Sequence, residues 1–244
     1  MAILEIKDLT KKFGGVLALD HLSFDVKEGQ ILGLIGPNGA GKTSFFNVIT
    51  GVYAPDNGEI LFKGKDIKSL KPYEICQKGI CRTFQIVQPF RAITVFQNVM
   101  IGSFCRTSDT KEAKEKTLRV LKFMDLYQKA EIIANDLNLI DQLKLEFARA
   151  LATDPKLLLL DESMAGLNTT ECKATEYLIK KIRDKGVTLV VVEHNMRAIL
   201  SIADHIVVIV YGSKICEGKP QDVVRDQKVI EAYLGEGFSN VALK

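Results

Sequence analysis

The chain has 244 residues, 47% of them apolar, which is enough for one large domain or two small ones with a sizeable core. Its 33 basic and 30 acidic residues are well mixed and leave a net charge of +3, without the clustered basic stripe that marks a nucleic-acid-binding surface, so no nucleic-acid partner is expected. No run approaches the ~18 consecutive apolar residues of a membrane span, and the opening Met1-Ala2-Ile3-Leu4-Glu5-Ile6 is too short and too acidic for a signal peptide, so a cytosolic chain is expected.

Residues 3 to about 70 read as short strands. Ile3 to Lys7 and Leu22 to Val26 alternate apolar and polar residues, and Gly29, Gly58 and Gly64 punctuate them. Ile31 to Ile35 is continuously apolar, like a buried strand. It enters Gly36-Pro37-Asn38-Gly39-Ala40-Gly41-Lys42-Thr43, which fits G-x-x-x-x-G-K-[ST] at every fixed position, and Ser44 to Thr50 leaves it like a helix. Small residues let backbone N–H groups wrap a polyphosphate, and the helix that follows presents its positive N-terminal end. Lys42 is placed to reach the β- and γ-phosphates of ATP, and Thr43 to give its hydroxyl to Mg²⁺. A chance glycine-rich turn is the plain alternative; the flanking strand and helix argue against it.

Residues from about 71 to 150 read as helical. Within them Ser108 to Lys129 carries Glu112 and Lys116 four apart, and Leu118, Leu121 and Met124 on an apolar stripe. The five cysteines (Cys76, Cys81, Cys105, Cys172, Cys216) are odd in number and irregularly spaced, with no histidine near Cys76 and Cys81. They read as free reduced thiols rather than as a zinc site.

Leu157 to Leu160, Val187 to Val192 and Ile206 to Val210 are apolar runs of the kind buried on both faces of a parallel sheet. The first ends in Asp161-Glu162, which puts one carboxylate in a Mg²⁺ shell and the other where it can polarise a water. Asn168-Thr169-Thr170-Glu171 reads as a capping box opening a helix. The run Val190-Val191-Val192-Glu193 ends at His194, where ligand-binding residues gather in an open α/β sheet; a structural histidine is the alternative. The sum is an α/β domain with an early antiparallel edge and an inserted helical lobe.

In this order the pieces resemble the ATP-binding subunit of an ABC transporter over essentially the whole chain. The resemblance implies a P-loop NTPase of ABC type, with a RecA-like core, an antiparallel β subdomain and a helical subdomain. One domain, 1–244, would divide into a core with its β part (about 1–84 and 153–244) and a helical subdomain (about 85–152). The cofactors implied are ATP and Mg²⁺. Phe13 falls where the family stacks an aromatic ring on adenine. Gly36 to Ser44 are the phosphate-loop contacts. Gln85 falls in the Q-loop, as a catalytic contact and metal ligand, and Asp161 and Glu162 in Walker B. Ala165 to Asn168 form the D-loop, and His194 the H-loop. Arg82-Thr83-Phe84-Gln85, Met164 to Asn168, Val192 to Met196 and Ile230 to Gly235 are similar to branched-chain amino acid importer subunits of LivG type. Such subunits lie on the inner face of the cell membrane with a second ATPase subunit, two permeases and an external binding protein. Phe90, Val95 and Phe96, in the segment from Ile86 to Ser103, are candidates for a permease-docking groove, with simple core packing as the alternative.

The chain departs from the family at its signature, L-S-x-G-[QDE]. Those positions hold Leu137-Asn138-Leu139-Ile140-Asp141, just before the Leu145 to Leu151 helix. Asn138 can still cap that helix and stay among the ATP contacts. Ile140, in place of glycine, adds bulk and disfavours positive φ where the family presses on the partner's γ-phosphate. Losing one well-placed transition-state donor costs roughly 10²- to 10³-fold in rate. An asymmetric heterodimer is therefore expected, with this chain's own half-site complete. Ser163, where the family usually has proline, is expected to loosen the turn after Glu162. The alternatives are an exporter ATPase, a non-transport ABC protein of translation or DNA repair, and a subunit that clamps ATP with little turnover.

Overall fold

The computed structural model describes residues 1–83, 89–193 and 195–233. Strands β1 (Ala2–Phe13) and β2 (Val16–Lys27) make a long antiparallel hairpin, and β3 (Ile31–Ile35) leads to helix α1 (Lys42–Ile49). Strands β4 (Asn57–Phe62) and β5 (Lys65–Asp66), helix α2 (Pro72–Lys78) and strand β6 (Ile80–Arg82) follow. Three helices come next: α3 (Val95–Ser103), α4 (Thr110–Phe123) and α5 (Leu139–Ala152). The chain then alternates β7 (Leu157–Asp161), α6 (Thr169–Arg183), β8 (Thr188–Val192), α7 (Met196–Ile202) and β9 (His205–Val210). It ends on β10 (Ser213–Gly218), α8 (Pro220–Val223) and α9 (Gln227–Tyr233). Among the described residues no helix is long and apolar enough to cross a membrane.

Two sheets result. The antiparallel one runs β2-β1-β4-β5, and the larger one runs β10-β9-β3-β8-β7-β6, parallel except at β10. The three apolar runs of the sequence are β7, β8 and β9, and successive side chains on them serve two cores. Leu158, Leu160, Leu189 and Val191 face the helices α3 to α7, while Leu157, Leu159, Val190 and Val192 face α1 and the antiparallel sheet. Both faces of the parallel sheet are therefore covered, which is why these strands do not alternate with polar residues. The Asn168 capping box opens α6 as read: its side chain accepts from Thr170 and Glu171 N–H groups.

The helical reading of residues 71–150 is too broad at its start. Residues 80–82 form β6, which pairs with β7 and belongs to the parallel sheet. The first strands are longer than the short alternating stretches suggested, because β-bulges let β1 and β2 continue past breaks in the pattern. Helix α4 covers Thr110–Phe123 of the expected 108–129, and the chain then turns through a short 3₁₀ segment at Tyr127–Lys129.

The helical layer is closed by a contact between backbones. A Cβ at Gly102, on α3, would lie 2.4 Å from the carbonyl oxygen of Arg149 on α5. Alanine there would raise helix propensity by about 0.5–1 kcal/mol, but overpacking against a fixed carbonyl costs about 1–3 kcal/mol. Gly102→Ala is therefore expected to lower stability to urea by a net ~1–2 kcal/mol, and equal or greater stability would show that α3 and α5 do not meet this closely.

Candidate nucleotide site

Parallel pairing brings the chemistry to one edge. Leu34 of β3 and Asp161 of β7 both pair with Val192 of β8. The three strand ends lie side by side, and beyond them come Gly36, Glu162 and Glu193. The loop after β3 closes against other backbone. A Cβ at Gly36 would lie 2.0 Å from the Ile209 carbonyl oxygen, and one at Gly41 (φ 104°) 2.3 Å from that of Ala18, so both positions exclude a side chain. Gly39, Gly41 and the first turn of α1 leave a concave run of backbone at a helix N-terminus, which suits a polyphosphate. Lys42 is only 6% exposed, and its ammonium donates to the carbonyl oxygens of Gly36 at 2.6 Å and Pro37 at 2.9 Å. Pro37 and Ser44 are half-buried, Ala40 is buried, and Asn38 and Thr43 are exposed at the loop surface.

Asp161 is buried and accepts a 2.7 Å hydrogen bond from Arg82. Arg82 also donates to Asn47 at 2.6 Å, and its guanidinium lies 5.4 Å from the centre of the Phe46 ring. Arg82 thus ties β6, β7 and α1 together beneath the site. Its importance was not legible in the sequence, because it needs β6 to pair beside β7. Glu162 is half-buried with φ 50°, and its N–H donates to the Val192 carbonyl at 2.9 Å. A left-handed glutamate costs of order 1–3 kcal/mol and turns the side chain out of the strand direction.

Glu193 is a second residue that sequence reasoning missed. It is 4% exposed, and its Oε1 accepts from Met164 N–H at 2.8 Å and from the Ser163 hydroxyl at 3.4 Å. It thereby holds the turn after Glu162. Ser163, where the family usually has proline, contributes a long hydroxyl contact of 3.4 Å to this carboxylate at the end of β8. Burial pushes the Glu193 carboxyl up to about 7, with the nearby Glu162 and Asp161 carboxylates acting in the same direction.

The remaining expected residues divide. Phe13 is partly exposed at the β1–β2 hairpin end, edge-on to Tyr53 with ring centres 5.0 Å apart, on the same hairpin as the Ala18 that abuts Gly41. Asn138 caps α5, accepting from Asp141 N–H at 2.9 Å. Ile140 sits in the first turn of α5 without a positive φ, as a β-branched residue prefers. Its side chain lines a cleft against Ala174, Tyr177 and Leu178 of α6. Gln85 and His194 lie outside the described residues. Of the groove candidates, Val95 is fully buried and Phe96 packs against the core, because their helix turns that face inward. Phe90 remains exposed, with the Arg149 guanidinium 4.7 Å from its ring centre, and it lines a cavity with the exposed Ile101; Phe104 is exposed as well.

The titration of Glu193 gives a test with a definite sign. Its ordinary value is 4.5, so between about 4.5 and about 7 the folded chain holds a proton that the unfolded chain has released. Stability therefore falls as pH rises through that window and levels off above it. Glu193→Gln keeps an acceptor for Met164 N–H and removes the proton. Urea unfolding from pH 5 to 8 is expected to show wild type losing on the order of 3 kcal/mol relative to the variant; parallel curves would show that Glu193 titrates normally.

A model of the ABC transporter family matches residues 19–165, and a model described as branched-chain amino acid ATP-binding cassette transporter matches residues 213–239. The chain is 39% identical to the probable branched-chain amino acid transport ATP-binding protein LivG of Archaeoglobus fulgidus, over 99% of this chain and 98% of that protein. It is 38% identical to the high-affinity branched-chain amino acid transport ATP-binding protein BraF of Pseudomonas aeruginosa, over 96% and 98%. Among solved structures it is similar to an ATP-binding cassette of an ABC transporter in its ADP conformation, with a TM-score of 0.88, 34% identity, and 97% and 100% of the two chains covered. The chain belongs to the ABC transporter family as an ATP-binding subunit, with ATP hydrolysis coupled to transport as its activity.

Proposed function

We propose that the chain energises an importer of branched-chain amino acids, as one of two unlike ATPase subunits on the cytoplasmic face of the cell membrane. The observation that carries the substrate class is the match of residues 213–239 to the branched-chain cassette model, beside whole-length similarity to branched-chain transport proteins. Two permeases would dock on the groove bordered by Phe90, Ile101 and Phe104, and an external binding protein would deliver substrate to them.

The chemistry follows from the strand ends. Lys42 would exchange the carbonyls of Gly36 and Pro37 for phosphate oxygens of bound ATP. Phe13 would stack on the adenine. The Asp161 carboxylate and the Thr43 hydroxyl are hard oxygen donors of the kind Mg²⁺ prefers, and Gln85 would add a third. When bound, Mg²⁺ neutralises charge on the phosphate oxygens. Glu162, turned out of the strand by its backbone, orients the attacking water, and His194 meets the γ-phosphate.

The asymmetry rests on the start of α5. Leu139 is 51% exposed and Ile140 half-buried there, so aliphatic side chains flank the helix N-terminus where a glycine would leave backbone N–H groups open. A partner's ATP would meet this surface and turn over slowly, while ATP on this chain would meet the partner's signature.

Two measurements test this reading. With permeases and partner ATPase in lipid vesicles, ATP-driven leucine uptake is expected. Glu162→Gln should cut hydrolysis roughly 10²- to 10⁴-fold with ATP binding kept; uptake or hydrolysis unchanged by that variant would contradict the assignment. Restoring the signature with Asn138→Ser and Ile140→Gly together should raise turnover at the partner's site roughly 10²-fold or more, and no gain would remove the asymmetry argument.

A further inference from the structure

Three cysteines that the nucleotide site does not use converge on one cavity. Cys76 lies in the last turn of α2, Cys81 on β6 and Cys105 just past α3. The sulfur atoms of Cys76 and Cys105 are 3.6 Å apart, and Cys81 lines the same cavity. All three line a cavity of about 510 Å³ together with Arg82, Ile101 and Arg149. Cys105 is 29 residues from Cys76 in sequence, so the meeting of those two is a product of the fold.

The place matters more than the thiols themselves. Cys76 belongs to α2, which feeds β6 of the parallel sheet, and Cys105 belongs to the helical layer. Arg106 already stitches the same seam: it donates to the carbonyls of Thr153 at 2.7 Å, Cys76 at 3.0 Å and Gln77. The far end of α5, at Thr153, reaches this cavity, and its near end carries Asn138 and Ile140. A helix of 14 residues is about 21 Å long, so a clasp at one end limits the tilt of the other. On the other side of the seam Arg82, next to Cys81, holds Asp161.

We propose that Cys76 and Cys105 form a reversible disulfide when a low-molecular-weight disulfide enters this cavity, and that the bond clasps the helical layer to the sheet and halts ATP hydrolysis. The exchange is balanced. One cysteine, as thiolate, attacks a sulfur of R–S–S–R, forming a mixed disulfide and releasing RS⁻. The second cysteine gives its proton to solvent and attacks the protein sulfur of that mixed disulfide, releasing the second RS⁻. Two protein thiols are oxidised and one small disulfide is reduced to two thiols. The sulfurs must close by about 1.5 Å to reach bonding distance, a movement within reach of side-chain rotation. All five cysteines are free thiols in this structure.

The hydrolysis part of this inference rests on the assigned ATPase function; the bond itself does not. The test treats the chain, assembled with permeases and partner ATPase, with oxidised glutathione, then maps peptides without reduction and measures hydrolysis. The expected map joins the peptide of Cys76 to that of Cys105. Hydrolysis is expected to be lost and to return with dithiothreitol, while Cys105→Ser hydrolyses ATP equally before and after treatment. A Cys76–Cys81 link, or glutathione adducts alone, would overturn the pair. A Cys76–Cys105 link with hydrolysis unchanged would overturn the clasp. An assembly that fails to hydrolyse ATP even when reduced would contradict the assigned function, and the peptide map would still decide the bond.

Discussion

Parallel pairing of β3, β8 and β7 is the constraint on which the site depends. Val192 faces Leu34 on one side and Asp161 on the other, so a single register sets the phosphate loop, the two Walker B carboxylates and Glu193 abreast. Adjacent strands lie about 4.8 Å apart, so the groups one residue beyond their ends gather at one edge of the sheet. A slip of one residue would turn every inward side chain on these strands to the opposite core. The register is held because both cores are apolar: Leu158 and Leu160 belong to one, Leu157 and Leu159 to the other.

Beneath that edge two buried polar contacts determine how the carboxylates stand. Arg82 holds Asp161 from β6, and Glu193 holds the turn after Glu162 from β8. Each links the site to another element: Arg82 to α1 through Asn47, and Glu193 to the start of the D-loop through Met164. In the helical layer α3 and α5 approach closely at Gly102, where a Cβ would lie 2.4 Å from the Arg149 carbonyl oxygen. The apparatus is therefore a sheet edge beside a helical layer, with α2, Arg106 and the end of α5 at the boundary between them.

Much of this was legible in the sequence. The phosphate loop could be read because its glycines answer a local demand, close backbone approach, and the strands because burial on both faces removes alternation. The Asn168 cap was legible for the same local reason. What could not be read depends on partners distant in the chain. Arg82 looks like any basic residue until β6 pairs with β7, and β6 itself is only three residues long and was absorbed into a helical stretch. Glu193 looks like a polar residue at a strand end until Met164 points its N–H at it. Phe90, Val95 and Phe96 look alike in sequence, and only the packing of α3 separates exposed Phe90 from buried Val95. Ile140 was read by analogy with a glycine, but its helical backbone and its place in the cleft beside α6 are set by where α5 begins.

The central claim is that this chain carries a complete half-site for ATP and a poor signature for its partner's. Steady-state Mg-ATP hydrolysis by the purified chain alone, measured against protein concentration, tests it most directly. Negligible turnover across the range is the predicted result, with activity appearing when a second ATPase subunit carrying a glycine signature is added. Turnover that grows with the square of concentration and reaches a rate comparable to that of the mixed assembly would contradict it, because the chain would then be pairing productively with itself across Asn138 and Ile140.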